Sequence, residues 1–337
     1  MRALANPHRG TALDLGAAPP RSDPSAVLAL LSRCPAHAPT PLRDLPDLAA
    51  SLGIARLTAK DETGRMGMGS FKALGAAHVI ARHAEAGTAA GRTYVTASAG
   101  NHGLSVAAGA RVFGAAARIY LARTVPASFA GRLRATGAEV RIEGADYEAS
   151  MAAAARAAEA EGLFLLSDSS WPGYDEAPRT LMEGYLAMAH ELCETPAPTH
   201  LILQAGVGGM AGAVAAHARA AWGDGPVIAV VEPVSAAPVM ASIEAGRMAR
   251  GEGPVSTMGR LDCKEASLIG MAGLSRDADL CVTVTDEAAE EAARRLTGAG
   301  IATTPSGAAG LAGLAHHAEA LGLGPDSHAA ILVTETA

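Results

Sequence analysis

Residues 201–231 read LILQAGVGGMAGAVAAHARAAWGDGPVIAVV and decide the fold class. The apolar run 201–204 leads through a glycine-rich turn into an alanine-rich amphipathic stretch, and a second apolar run follows at 227–231. Short apolar strands that alternate with helices of this length are typical of βαβ units and a mainly parallel sheet. The segment therefore predicts an α/β protein.

The same order of strand, turn and helix recurs closer to the N-terminus. Apolar or β-branched runs stand at 93–97, 118–121 and 138–142, each beside an alanine-rich stretch. No linker rich in serine and glycine divides the chain, and no internal repeat is present. In open α/β sheets, ligands bind beyond the carboxyl ends of the strands, so we expect the chemistry in the strand-to-helix loops.

Composition excludes several classes of protein. Of the 337 residues, 49% are hydrophobic and 18% charged, and 27 Lys and Arg against 34 Asp and Glu leave a formal net charge of −7. This hydrophobic fraction can bury a large core, which excludes disorder. The acidic balance and the 3% aromatic content argue against nucleic acid as a partner.

Targeting and cysteine patterns narrow the class further. No apolar run approaches the ~20 residues of a membrane span, and the first residues lack the apolar block of a secretory signal. We therefore expect a cytoplasmic protein with no membrane partner. The four cysteines lie far apart in sequence and the histidines form no HExxH pattern, so neither a disulfide framework nor a metal site is predicted.

The first candidate functional segment surrounds Lys72. A loop with three glycines, residues 63–69, precedes Ser70-Phe71-Lys72 at the start of a predicted helix. Ser70 is a good N-cap, and Lys72 falls in the first turn, where the helix dipole disfavours a positive charge. We therefore expect Lys72 to lose its proton readily, as an imine-forming amine requires. The alternative is a solvated surface lysine.

Two further loops have compositions that suit anions. Residues 98–103 read SAGNHG and open a predicted helix, where free N–H groups can bind a carboxylate. A helix cap without any ligand explains these residues equally well. Residues 206–212 contain four glycines between a strand and a helix, a composition typical of a phosphate loop. Close packing of helix on sheet is the alternative for these glycines.

Taken in this order, the motifs resemble the fold-type II pyridoxal-phosphate enzymes, which include threonine and serine dehydratases. The resemblance runs from Thr40-Pro41-Leu42 to Thr334 and covers nearly the whole chain. Within that family, the segments 168–174, 181–185 and 204–208 are most similar to those of diaminopropionate ammonia-lyases.

The resemblance implies a tryptophan synthase β-like fold, with two open α/β domains, mainly parallel sheets and the site in the cleft between them. Residues 1–84 and 190–337 would form the large domain, which binds pyridoxal 5′-phosphate. Residues 85–189 would form a small inserted α/β domain. Because the relatives commonly form homodimers, the resemblance implies a homodimer here.

The resemblance also assigns roles to individual residues. Lys72 would bind the cofactor as an imine, with Phe71 near the ring, Asn101 on the ring hydroxyl and Thr334 at the pyridine nitrogen. The backbone N–H groups that would hold the phosphate belong to Gly206, Val207, Gly208, Gly209 and Met210. The residues that would bind the substrate are Ser98, Ala99, Gly100, His102 and Asp168. A buried strand hydroxyl is the alternative for Thr334, and a turn residue is the alternative for Asp168.

These roles imply a β-elimination that converts a β-substituted α-amino acid into a 2-oxo acid and ammonia. Lys72 would take the Cα proton of an L-substrate, with Asp168 as the alternative base. Asp168 would otherwise assist the leaving group or anchor the substrate. A hydroxyl at Thr334 leaves the pyridine ring mostly neutral, which favours prompt loss of the β-substituent.

Ala99 is a departure from the diaminopropionate ammonia-lyases, which have an aspartate there, and is closer to the hydroxyamino-acid dehydratases. The substrate is therefore either a diamino acid, whose β-ammonium would pair with Asp168, or a 3-hydroxyamino acid. In another class, a non-catalytic protein could bind a phosphate ligand on this fold, although it would not need Lys72. A racemase would need a second acid or base, which Ala99 does not offer.

Overall fold

The computed structural model describes residues 1–337 and contains two β-sheets surrounded by helices. The strands are β1 (Ala3–Ala5), β2 (Leu42–Asp44), β3 (Arg56–Asp61), β4 (Thr93–Ala97), β5 (Ala116–Leu121), β6 (Glu139–Ile142), β7 (Phe164–Leu165), β8 (His200–Gln204), β9 (Val227–Pro233), β10 (Leu280–Val284) and β11 (His328–Val333). The helices are α1 (Ser25–Leu31), α2 (Pro46–Leu52), α3 (Lys72–Glu85), α4 (Asn101–Val112), α5 (Ala127–Ala135), α6 (Tyr147–Glu161), α7 (Glu176–Cys193), α8 (Gly209–Trp222), α9 (Pro238–Ala245), α10 (Leu268–Asp277), α11 (Asp286–Gly298), α12 (Pro305–His316) and α13 (Ala318–Leu321), with a 3-10 helix at Glu62–Gly67. None of the helices has both the length and the apolar character that a membrane crossing requires.

The large sheet has seven strands in the order β1-β10-β9-β8-β11-β3-β2. Its five inner strands run parallel, and only the two edge strands are antiparallel to their neighbours. Successive side chains of β8 point to opposite faces: Leu201 and Leu203 pack with α8 and α10, whereas Ile202 packs with α11 and α12. Helices cover both faces because the strands are apolar on both.

The small sheet has four parallel strands in the order β6-β5-β4-β7. On one face, Tyr94 and Ile119 pack with α4, and on the other face Val95 packs with α6. These strands lie between residues 93 and 165, within the segment 85–189 assigned to the small domain. The limits of that domain stay a prediction.

The predicted α/β class with mainly parallel sheets is confirmed. β4 spans the expected 93–97, β5 begins two residues before the expected 118, and β8 begins one residue before the expected 201. Periodicity therefore located these buried strands to within about two residues.

Helices α3 and α7 cross closely because a glycine lies on each at the crossing. A Cβ on Gly184 would lie 2.4 Å from the Leu74 carbonyl oxygen, and one on Gly75 would lie 2.7 Å from the Tyr185 ring. Cβ atoms are essentially never found this close to backbone, so the crossing requires glycine. The crossing brings the N-terminal turn of α3, which contains Lys72, to the side of Tyr185.

Candidate active site

The carboxyl ends of three neighbouring strands form the floor of the candidate site. β8, β11 and β3 are adjacent and parallel, so the segments that follow them meet at one edge of the sheet. Those segments contain residues 206–210, Thr334 and Lys72. From the small sheet, the loop 98–102 after β4 and Asp168 after β7 contact the same edge through side-chain hydrogen bonds. The structure thus brings the predicted site residues together in one cleft.

The central interaction is an ion pair in which Lys72 Nζ donates to Asp168 Oδ2 at 2.6 Å. α3 begins at Lys72, and the hydroxyl of Ser70 accepts its backbone N–H at 3.1 Å. The two charged side chains are only 22% and 15% exposed, so water screens the pair weakly. Asp168 is therefore more than a turn residue.

The protonation of Lys72 differs from the sequence-based expectation. Burial opposes the ammonium form, but the Asp168 carboxylate outweighs burial and raises the pKa of Lys72 above its ordinary value. Burial likewise opposes ionisation of Asp168, and Lys72 overcomes it and lowers the pKa of that carboxyl. The expectation of a readily deprotonated Lys72 is therefore wrong for this pair, because a carboxylate at 2.6 Å acts more strongly than the helix dipole.

Two aromatic rings enclose the Lys72 amine. The rings of Phe71 and Tyr185 meet edge to face at 5.0 Å, and Lys72 Nζ lies 5.3 Å and 5.8 Å from their centroids. Burial raises the pKa of Tyr185 to about 12, which keeps the phenol neutral. Its buried hydroxyl makes no hydrogen bond of ordinary geometry within the chain, although the nearby Lys72 ammonium interacts with it and partly offsets the effect of burial on its pKa. Such a group costs about 1–3 kcal/mol unless a ligand satisfies it.

The glycine loop, residues 206–210, leads from β8 into α8. Gly208 caps α8 with φ +86°, a left-handed conformation that favours glycine. The backbone N–H groups of Gly206 and Gly208 donate no hydrogen bond, and the first turn of α8 adds further free N–H groups. A helix N-terminus with free amides is an anion-binding site, so the predicted phosphate loop has the required donors.

The loop 98–102 has a similar backbone cradle. The Ser98 hydroxyl accepts the N–H of Gly100 at 3.2 Å, and α4 begins at Asn101 with the free N–H groups of a first turn. A Cβ on Gly103 would lie 2.4 Å from the Ser98 carbonyl oxygen, so the turn requires glycine there. His102 is buried, and its Nε2 donates to the Leu166 carbonyl at 2.8 Å. The Nε2 of His102 is therefore committed to the backbone, whereas its buried Nδ1 has no partner within the chain.

Thr334 lies where β11 ends. Its hydroxyl accepts a hydrogen bond from Gln204 Nε2 at 3.3 Å, which leaves the hydroxyl proton free to donate to a ligand. The Thr334 carbonyl accepts the N–H of Phe71 at 3.2 Å. This residue thus connects the end of β11 to the start of the Lys72 helix.

A hydrogen bond between Asn101 and Glu335 joins the two sides of the cleft. The Asn101 amide donates to the Glu335 carboxylate, which also accepts the Thr304 hydroxyl at 2.6 Å. Arg260 Nε is 3.5 Å from the same carboxylate. One N–H of the Asn101 amide remains for the ring hydroxyl that the resemblance assigns to it.

Sequence reasoning gave no role to Tyr185, Arg260 or Glu335. Tyr185 stands within the segment 181–185 that supported the resemblance, and Glu335 follows Thr334, so proximity to a predicted residue was the available signal. Arg260 belongs to none of the quoted motifs, and only the tertiary structure brings it to the loop 98–102.

Together, these features define a fold-type II pyridoxal-phosphate enzyme, as the resemblance implied. The family model described as "Pyridoxal-phosphate dependent enzyme" matches residues 34–335, and the chain belongs to that family. Diaminopropionate ammonia-lyase of Salmonella typhimurium is 33% identical over 303 residues, covering 81% of this chain and 75% of that protein. Human L-serine dehydratase/L-threonine deaminase is 32% identical over 225 residues, covering 65% of this chain and 64% of that protein.

A solved structure supports the same assignment. Diaminopropionate ammonia-lyase of Escherichia coli, in complex with the aminoacrylate-PLP azomethine reaction intermediate, has a TM-score of 0.91 and 27% sequence identity. The match covers 99% of this chain and 93% of that chain. The predicted family, fold class and cofactor are thereby confirmed.

The residues of the cleft fit pyridoxal phosphate. The cofactor's aldehyde requires an amine, which Lys72 supplies, and its phosphate requires donors, which the glycine loop supplies. Thr334 has a free proton for the ring nitrogen, and Tyr185 has an unused hydroxyl beside the amine. The particular roles of these residues stay predictions.

Proposed function

We propose that this enzyme eliminates the β-substituent of a β-substituted α-amino acid and releases a 2-oxo acid and ammonia. The observation that carries the proposal is the 2.6 Å pair of Lys72 and Asp168 between two anion-binding loops. The activities named for the relatives, an ammonia-lyase and a dehydratase, support it. Pyridoxal phosphate, when bound, supplies an electron sink for the charge that develops at Cα.

Lys72 and Asp168 hold and move the protons of this reaction. Lys72 is the base for the Cα proton of an L-substrate once its own proton has passed to Asp168, the carboxylate that accepts its hydrogen bond. Asp168 is anionic because Lys72 lowers its pKa, so it can bind a cationic β-group or assist a leaving hydroxyl. A proton can pass between these side chains along their single 2.6 Å hydrogen bond.

The two backbone cradles orient the ligands. Free N–H groups in the loop 98–102 and the hydroxyl of Ser98 receive the substrate carboxylate, while the glycine loop receives the phosphate. Because these donors belong to backbone at helix starts, they are preorganised and cost little reorganisation when charge develops.

Two classes of substrate compete for this cleft. A diamino acid is favoured by Asp168, whose carboxylate can pair with a β-ammonium, and by the diaminopropionate ammonia-lyase relatives. A 3-hydroxyamino acid is favoured by Ala99, which puts no charge into the loop that faces the substrate, and by the serine dehydratase relatives.

Assays of ammonia release from diamino acids and from 3-hydroxyamino acids test the proposal. We expect turnover of 2,3-diaminopropionate, or of serine or threonine, when L- and D-isomers are assayed in parallel with 2-oxo acid detection. Lys72→Ala is expected to lower kcat by about 10³-fold or more because base and covalent attachment are lost together. Wild-type enzyme that releases ammonia from neither class would contradict the proposal.

Reductive trapping of the cofactor imine can be assigned to a single residue because the chain has only three lysines, Lys60, Lys72 and Lys264. Lys60 is 2% exposed, and its Nζ donates a hydrogen bond to Glu191 Oε2 at 2.6 Å. The Nζ of Lys264 donates a hydrogen bond to Asp262 Oδ1 at 2.7 Å. After borohydride reduction of the holoenzyme, mass spectrometry should find the cofactor adduct on Lys72 alone. An adduct on either other lysine would overturn the assignment.

The rival from another class is a non-catalytic protein that binds a phosphate ligand on this fold. A purified protein without imine absorbance and without a trapped adduct would favour this rival. Homodimeric assembly and the division of the chain at residues 85–189 are proposals carried over from the family resemblance, and a cytoplasmic location is a proposal from the sequence pattern. Analytical ultracentrifugation of the holoenzyme tests the assembly.

A further inference from the structure

Residues 250–265 connect α9 to α10 beside the cleft, and hydrogen bonds to the predicted large domain hold this segment in place. Asp286 accepts the N–H of Thr257 at 2.9 Å, and Lys264 Nζ donates to the Ser235 carbonyl at 2.7 Å. A Cβ on Gly206 would lie 3.0 Å from the carbonyl oxygen of Arg260, so the segment touches the glycine loop. Its backbone therefore holds Arg260 in a fixed place at the cleft.

The Arg260 side chain extends across the cleft to the loop 98–102. Its Nη1 and Nε lie 3.0 Å and 3.3 Å from the position that a Cβ on Gly100 would occupy. The side chain is 40% exposed, and its closest anion is Glu335, at 3.5 Å from Nε. Both oxygens of Glu335 are already hydrogen-bonded, one to Asn101 and one to Thr304. The Nη groups of Arg260 thus have no partner and can donate to a ligand.

A second guanidinium contacts the same aromatic ring as the first. The ring of Phe129, in α5, has Arg260 Cζ at 5.8 Å and Arg132 Cζ at 5.9 Å from its centroid. Arg132 is exposed and forms no ion pair, and Arg260 has only Glu335, 3.5 Å from its Nε, as an anionic neighbour, so two cationic side chains share the Phe129 ring. The local charge favours an anionic group at this end of the cleft.

We propose that Arg260 is a specificity-determining residue that selects α-amino acids with a β-hydroxyl and a second carboxylate. This inference rests on the proposed β-elimination. The loop 98–102 receives the α-carboxylate, and the planar guanidinium above Gly100 binds the second carboxylate through two parallel N–H donors. A β-ammonium would meet a like charge there, which selects against diamino acids. Ala99 adds no negative charge that would repel the second carboxylate.

The chemistry of such a substrate balances without any added oxidant. Loss of the Cα proton and the β-hydroxyl releases one water, and the product is an unsaturated amine that becomes an imine. Hydrolysis of the C=N bond consumes one water and releases ammonia. The net change converts a 3-hydroxy-2-amino dicarboxylic acid into a 2-oxo dicarboxylic acid and ammonia.

Kinetics on two substrates with the same leaving group test the role of Arg260. 3-Hydroxyaspartate, as its separate stereoisomers, differs from serine by the second carboxylate alone. For one isomer we expect wild-type holoenzyme to show a KM below that of serine. Arg260→Met should reduce kcat/KM for that isomer about 10- to 100-fold, mainly through KM, because a charge-assisted pair is lost. The value for serine should change less than about threefold, and Arg260→Lys should be intermediate.

The matched control is Arg250→Met, which removes an arginine of the same segment whose side chain pairs with Glu148 and Glu265 and not with Glu335. We expect it to leave the preference for 3-hydroxyaspartate unchanged. Equal losses on both substrates in Arg260→Met, or no preference in the wild type, would overturn the proposal.

Calorimetric binding separates this proposal from the proposed reaction, because aspartate and alanine have no β-leaving group. We expect wild-type holoenzyme to bind aspartate more tightly than alanine and Arg260→Met to lose that difference. If no substrate releases ammonia, the proposed reaction fails while this binding result still decides the role of Arg260. Equal binding of aspartate and alanine by the wild type would refute the selectivity.

Discussion

At the scale of single residues, the charges of the cleft are set by their partners. Asp168 keeps Lys72 protonated, and Lys72 keeps Asp168 ionised. Burial lowers the pKa of His102, whose Nε2 is already committed to the Leu166 carbonyl. We assign the proposed exchange of a substrate proton to the lysine–aspartate pair, whose two side chains share one hydrogen bond.

Tyr185→Phe tests whether the unpaired hydroxyl serves a ligand. The free energy of unfolding of the apoenzyme should stay constant or rise by up to about 1 kcal/mol, because an unsatisfied buried hydroxyl is removed. The kcat/KM for the best substrate should fall about 3- to 10-fold, the value of one neutral hydrogen bond. Urea unfolding and steady-state kinetics measure the two effects.

Tyr94→Phe is the matched control for that prediction, because the Tyr94 hydroxyl has a partner, Nδ1 of His83 at 2.9 Å. It should lower stability by about 1 kcal/mol and leave kinetics unchanged. Identical behaviour of the two variants would exclude a ligand role for Tyr185.

At the scale of elements, the start of α8 and the glycine loop before it form the proposed phosphate site. Gly208 has φ +86°, and a Cβ there would lie 3.1 Å from Leu274 Cδ1. Gly208→Ala should therefore lower stability by about 1–2 kcal/mol, the cost of a left-handed L-residue. The changed backbone conformation should also reorient the N–H groups of the glycine loop and so weaken cofactor binding. Fluorescence titration of the apoenzyme with pyridoxal phosphate measures that affinity.

Gly162→Ala separates backbone strain from phosphate binding. Gly162 has φ +65° at the end of α6, and a Cβ there would meet no atom within 4 Å. We expect a similar loss of stability with unchanged cofactor affinity. A loss of affinity in both variants would show that the effect of Gly208 is not local.

At the scale of the whole molecule, a buried ionic network joins the floor of the site to α7. Glu191 of α7 accepts hydrogen bonds from Lys60 Nζ at 2.6 Å and from Arg65 Nη2 at 2.7 Å. Arg65 also donates to Glu62 at 2.7 Å, and neither of these two side chains is exposed. The network fixes α7, the helix of Tyr185, against β3 and the loop that leads to Lys72.

Glu191→Gln should destabilise the protein by about 3–5 kcal/mol, because two buried cations lose their carboxylate. Burial opposes ionisation of Glu191, but Arg65 and Lys60 lower its pKa from 4.5 to about 2. Its stabilising contribution is therefore complete above pH 4.5, is lost as pH falls toward 2, and should be absent in the variant. Urea unfolding between pH 3 and 7 measures both effects.

Glu194→Gln is the control at the C-terminal end of the same helix, since the Glu194 side chain is 67% exposed and makes only a long contact, at 3.8 Å, with His190. It should change stability by less than about 0.5 kcal/mol at every pH. If Glu191→Gln is no more destabilising than this control, the network does not stabilise the fold.

Much of the fold was predictable because the signals for it are local. The runs at 93–97 and 201–204 are apolar enough to be recognised as buried strands, and the glycine loop follows the second run directly. Motifs in the sequence singled out Lys72 and Thr334, which the structure brings to one cleft, and their roles stay predictions. The pKa of Lys72 was not predictable, because it depends on a carboxylate 96 residues away in sequence.

The sequence by itself determined the α/β class, the parallel strands and the two glycine-containing anion loops, since periodicity and turn chemistry act within a few residues. Only the tertiary structure decided that Asp168 neutralises Lys72, that Glu335 holds Asn101, and that Arg260 covers Gly100. Electrostatic interactions depend on distance in space, and the fold alone brings these distant segments within a few ångströms of each other.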